Sequence, residues 1–136
     1  MSSAEPTPRA IADPQPSTLR FGPPRELPAN LMHLVATPGD PWWDAGAAFV
    51  YDEYLRRGWC NASSNHRVPE HEPWADISTF HIINDAEHGI VGTLRTVIGA
   101  FTDLPIGSKY PRATEWPPDP CCEFGAFVVA PGARKL

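Results

Sequence analysis

With 136 residues, the chain has material for one domain, whose folding would bury about two thirds of its unfolded surface. A formal net charge of -5 gives no sequence-wide cationic field, which argues against a nucleic-acid partner or an anionic membrane surface. The longest apolar runs, such as Phe124 with Ala126 to Ala130, fall far short of the roughly 20 residues a membrane-spanning helix needs; with no signal-peptide pattern and an odd cysteine count that includes the neighbours Cys121 and Cys122, a cytoplasmic protein without a membrane partner is expected.

Residues 1–30 hold seven of the 17 prolines among few large apolar groups. Such a segment cannot offset the entropy of ordering, so a disordered tail is expected. Pro14-Gln15-Pro16 near Pro23-Pro24 also fits a polyproline ligand, although a flexible leader is the simpler reading. Leu31 to Thr37 is short, apolar and closed by Pro38-Gly39-Asp40, which predicts a strand. From Pro41 or Asp44 to Arg57, the residues Ala47, Val50, Tyr51, Tyr54 and Leu55 recur at helical spacing, and Gly58 is placed to end the helix in a left-handed conformation. On its solvated face, Asp52 with Arg56 and Glu53 with Arg57 are expected to pair.

Cys60 to Trp74 follows neither period and is expected to be a loop with room for one short helix, long enough to form a lid or a site wall. Ile77 to Ile83 and Ile90 to Ile98 are rich in branched residues and flank the polar turn Asn84 to Gly89, which predicts a hairpin. A proline-punctuated loop runs from Phe101 to Pro120, and Glu123 to Val129 regains strand character before Pro131-Gly132. The expected fold class is therefore α+β: an antiparallel sheet of about four strands with one main helix packed on it, in a domain spanning residues 31–136.

In this order the elements resemble the N-terminal half of the GNAT acyltransferases, in the branch that holds the acyl-homoserine-lactone (autoinducer) synthases and the N-acyl amino acid synthases. The resemblance lies in an ordered set of segments. Val35-Ala36-Thr37-Pro38-Gly39-Asp40 is followed by Phe49-Val50-Tyr51 and Arg57-Gly58-Trp59; then come Gly89 to Arg95 (Gly-Ile-Val-Gly-Thr-Leu-Arg), Leu104-Pro105, and Glu123 to Val129 with Pro131 and Arg134. Autoinducer synthases carry a Ser-Arg pair where this chain has Gly125-Ala126, a departure that bears on lactone-type acceptors.

The resemblance implies an N-acyltransferase that moves an acyl group from acyl-CoA or acyl carrier protein to a small-molecule amine, an amino acid among them. It implies that the pantetheine chain lies beside the last strand, along Gly125, Phe127, Val128 and Val129, and that Arg134 opens the pyrophosphate loop. The rest of that loop would follow Leu136, so the chain is expected to be a truncated, inactive form that binds coenzyme A weakly. Trp59 would wall an acyl or acceptor pocket. A glycine such as Gly125 within a strand marks a bulge or a close backbone approach, and a bulge there would turn an amide toward the thioester carbonyl; relief of packing against an aromatic serves equally well. Glu123, beside Phe124 and Trp116, is the candidate general base for the attacking amine. Arg95, in an otherwise uncharged strand, needs a carboxylate partner, supplied by Asp76 or Glu123 or by the acceptor itself. His66, His71, His81 and His88 with the three cysteines show no metal-ligand spacing, so no metal is expected. The alternative to an enzyme is a non-catalytic module that pairs with another chain, or with its own copy, through the apolar edge of Phe124 to Val129.

Overall fold

The computed structural model describes residues 26–110 and 119–135. Most of the expected tail (1–25) and part of the proline-rich loop (111–118, including Trp116) lie outside the described residues.

Four strands, β1 (Leu31–Ala36), β2 (Ser78–Asp85), β3 (Gly89–Gly99) and β4 (Cys121–Val129), form an antiparallel sheet in chain order. Helix α1 (Pro41–Arg56) crosses one face, so the α+β class is observed. Its start follows from local chemistry: the Asp40 carboxylate accepts a hydrogen bond from the Trp42 amide at 2.8 Å, and Pro41 gives up an N–H that has no helical partner anyway. Its end follows from Gly58, at φ 72°, a conformation that glycine adopts without a side-chain penalty.

The expected ion pairs on α1 are only half right. Arg56 and Arg57 both converge on Glu53, at 2.6 and 3.4 Å, while Asp52 pairs with the His66 ring at 2.7 Å. The long loop explains the exchange, because it folds back over α1: the Ser63 amide donates to the Tyr51 hydroxyl at 2.9 Å, and Arg67 pairs with Asp44. Its second part is the 3-10 segment Pro69–Ile77. Pro73, inside the segment, removes an amide donor there, which disfavours a regular α-helix. A short helix, α2 (Pro105–Lys109), follows β3.

Trp43, Val50 and Tyr51 of α1 meet Ala36, Phe80, Ile82, Ala126 and Val128 of the sheet in the main core. Gly46 permits this close approach, since a Cβ there would stand 2.9 Å from Cδ1 of Ile82. Register assigns the faces: Phe80, Arg95 and Gly125 lie side by side under the helix, as do Ile82, Thr93 and Val128. The opposite face carries Val35, His81 and Leu94 in one row and Thr79, Thr96 and Phe124 in another. Among the described residues no helix is long and apolar enough to cross a membrane.

Candidate functional site

β4 is the last strand of the sheet, and its outer edge has no partner strand among the described residues. From Gly99 opposite Cys121 to Arg95 opposite Gly125 it pairs regularly with β3; then Thr93 stands opposite Val128. Two residues, Ala126 and Phe127, therefore face the single residue Leu94, which is a β-bulge. Ala126 takes φ 46°, uncommon for a residue with a side chain, and its carbonyl accepts a hydrogen bond from the Thr93 hydroxyl at 3.1 Å. The bulge, one of the readings open for Gly125, thus sits one residue later. Gly125 keeps its place opposite Arg95 and leaves open space where a side chain would stand.

The bulge sorts the side chains of β4. Phe124 and Phe127 are 67% and 74% exposed, whereas Val128 is 1% exposed beneath α1. The side chain of Val128, expected beside a cofactor, belongs to the core instead. The carbonyl of Val129 accepts a hydrogen bond from Nη2 of Arg57 at 3.3 Å. Arg134 falls in the 3-10 turn Pro131–Lys135 that follows β4.

Arg95, directly across from Gly125, is 5% exposed. The ion pair expected with Asp76 or Glu123 is not formed. Asp76 is exposed at the end of the 3-10 segment, and the Glu123 carboxylate accepts the Ile106 amide at 2.9 Å, at the start of α2. Nη1 of Arg95 donates instead to the carbonyl of His71 at 3.2 Å, and Nε has no partner. Burial weakens the guanidinium's hold on its proton, while Tyr54, Glu123 and Glu72 act the other way from a distance.

Around Arg95 the structure assembles groups that spacing alone did not single out. The His71 ring is pushed down to about 4, by burial first and by Arg95 second. Tyr54 meets both His71 and Trp59 edge-on, with ring centroids 5.5 Å away in each case, and burial raises its hydroxyl. Trp59, 60% exposed, has the Arg57 guanidinium over its ring at 4.9 Å. Trp59, Tyr54, His71 and Arg95 thus form a continuous line of contacts from the end of α1 to the middle of β3, with Glu123 and Gly125 on the same sheet face as Arg95. Asp76 is not part of it. No family model, curated protein or solved structure matches the chain.

A larger cavity, about 500 Å³, opens at the hairpin end between Asn30, Asp85, His88, Ile90, Val91 and Gly132. Its buried carboxylate is already saturated. Asp85 accepts from the amides of Glu87 and His88 and from the Asn30 side chain, and these bonds hold its carboxyl down to about 2. That role is turn-building. On the uncovered sheet face the rings of His33 and His81 stack with nitrogens 3.2 Å apart. Among the described residues no group of three metal-binding side chains forms.

Proposed function

We propose that the chain is a GNAT-type N-acyltransferase, moving an acyl group from a thioester of coenzyme A or acyl carrier protein to a small amine. The observation that carries this reading is the bulge at Ala126 on a strand whose outer edge has no partner strand among the described residues. An acyl-pantetheine laid along that edge would pair with main-chain donors and acceptors as an added strand does. A bulge leaves a residue out of the ladder, so an amide is at hand for the thioester oxygen as its charge develops. Glu123, half-buried on the face that holds Gly125, is the carboxylate suited to relieve the amine of its proton. The amine nitrogen bonds to the thioester carbon, the carbon–sulfur bond breaks, and the departing thiolate takes up the proton that Glu123 removed from the amine and leaves as the thiol.

Titration with butyryl-pantetheine, followed in amide NMR spectra, tests this. Shifts are expected at Gly125 to Val129 before any others, and a spectrum unchanged along β4 refutes the reading. The exposure of Phe124 and Phe127 along the same edge favours a second reading, a module that pairs with another chain through β4. On that reading the same amides broaden with protein concentration when no thioester is present.

A further inference from the structure

A guanidinium carries five N–H donors, and among the described residues Arg95 engages only Nη1, with the neutral carbonyl of His71 at 3.2 Å. Nε is the one buried side-chain polar atom without a partner among the described residues. Removing an ion from water costs several kcal/mol, which is recovered only when an anion is well aligned and the remaining donors are satisfied. Among the described residues no anion provides this: the Glu123 carboxylate accepts the Ile106 amide, Asp76 is exposed, and Glu72 acts on Arg95 without an ion pair. His71, being neutral near pH 7, adds no second positive charge.

We infer that Arg95 is the receptor for a carboxylate carried by a small molecule, taken by the edge that Nε and Nη2 present together. A planar two-oxygen anion matches that fork bidentately, whereas a tetrahedral phosphate needs more room. Beside Arg95 lies a cavity of about 20 Å³ between Trp43, Val68, His71, Glu72 and Phe80. That volume suits a water, not a carboxylate, so binding requires one wall to move. The 3-10 segment Pro69–Ile77 is the wall that can, because it buries no residue of its own. Three hydrogen bonds hold it down: from Arg95 to the His71 carbonyl, from Trp74 Nε1 to the Asp103 carbonyl at 2.8 Å, and from the Ser78 hydroxyl to the Trp74 carbonyl at 2.5 Å. A carboxylate replaces the first of these with a stronger, charge-assisted pair. The inference needs no part of the acyl-transfer reading; where both hold, the carboxylate belongs to the amine that accepts the acyl group.

Acetate and its neutral isostere acetamide, each titrated into the native chain at fixed ionic strength, decide the matter. Acetate is expected to shift the Arg95 Nε–H resonance and the Gly125 amide and to raise the melting temperature, while acetamide does neither. Arg95→Gln should lose the response to acetate yet melt no lower than the native chain, because an unpaired buried charge has been removed. No acetate-specific shift at Arg95, an equal response in Arg95→Gln, or a response to inorganic phosphate alone overturns the inference. If Arg95→Gln does not fold, the comparison of acetate with acetamide in the native chain decides by itself.

Discussion

Protonation of His71 offers a direct test of the electrostatics beneath α1. In the folded chain its ring is pushed down to about 4 from the ordinary 6.5, by burial and then by Arg95. Between those values the unfolded chain binds a proton that the folded chain refuses, so stability falls as pH falls through this window. At about 1.36 kcal/mol per pH unit the full difference is about 3.4 kcal/mol; the ring keeps some contact with solvent, which reduces the expected loss to about 2 kcal/mol. Asp85 does not interfere. Its carboxyl is held down to about 2 from 3.8, so the stability it contributes is present above that window and is lost only as pH falls through it. His81 is also lowered, by burial and by His33, and contributes in the same direction as His71. The comparison with His71→Gln, not the raw profile, therefore isolates the ring. Urea unfolding at about pH 7 and about pH 4.5 should show a loss of stability in the native chain that is about 1.5 kcal/mol smaller in the variant, most of that total. Equal losses in the two chains refute the reasoning.

Gly46→Ala is expected to destabilise by about 1 kcal/mol in urea melts, since crowding Ile82 costs about 1–3 kcal/mol against a helix-propensity gain of about 1; unchanged or raised stability would contradict this. Phe127→Lys should make concentrated samples sediment as smaller species with little change in melting temperature, whereas Val128→Lys should abolish cooperative melting, because one side chain is exposed and the other lies in the core. Tyr51→Phe removes the acceptor of the Ser63 amide and should cost about 1 kcal/mol, with faster hydrogen exchange from Ser63 to Arg67 as the local readout.

Helix α1 was legible because its signals are local: Asp40 and Pro41 begin it and Gly58 ends it, whatever else the chain does. The β2–β3 hairpin was legible for the same reason. What escaped the sequence depends on partners distant in the chain. A bulge was one reading of Gly125, because glycine tolerates irregular backbone, but the positive φ falls on Ala126, whose carbonyl is held by Thr93 from the neighbouring strand. Asp52 was matched to Arg56 by spacing, yet the returning loop brings His66 to it and leaves Arg56 to Glu53. Arg95 was rightly singled out as a buried charge in β3, while its actual partner, a main-chain carbonyl, carries no residue signature at all. Tyr54 and His71 were hidden more simply. One reads as helix core and the other as an unpatterned loop, and only packing makes them neighbours.

The order of strands in the sheet, identical to their order in the chain, has a consequence for how the molecule assembles. Each strand pairs only with its neighbours in strand order, but the connections between them differ greatly in length. The β2–β3 hairpin closes across Ala86 to His88, a short loop with a small entropic cost, and hairpins of this kind form in about 1–10 μs. β1 can join only when the chain has passed through α1 and the 3-10 segment, and β4 only when the stretch after β3 has closed. The sheet therefore grows outward from its centre, and β4, the strand on which the proposed chemistry rests, is an outer rung of that growth. In native-state hydrogen exchange its amides should open before those of β2 and β3, by partial opening from the edge without global unfolding.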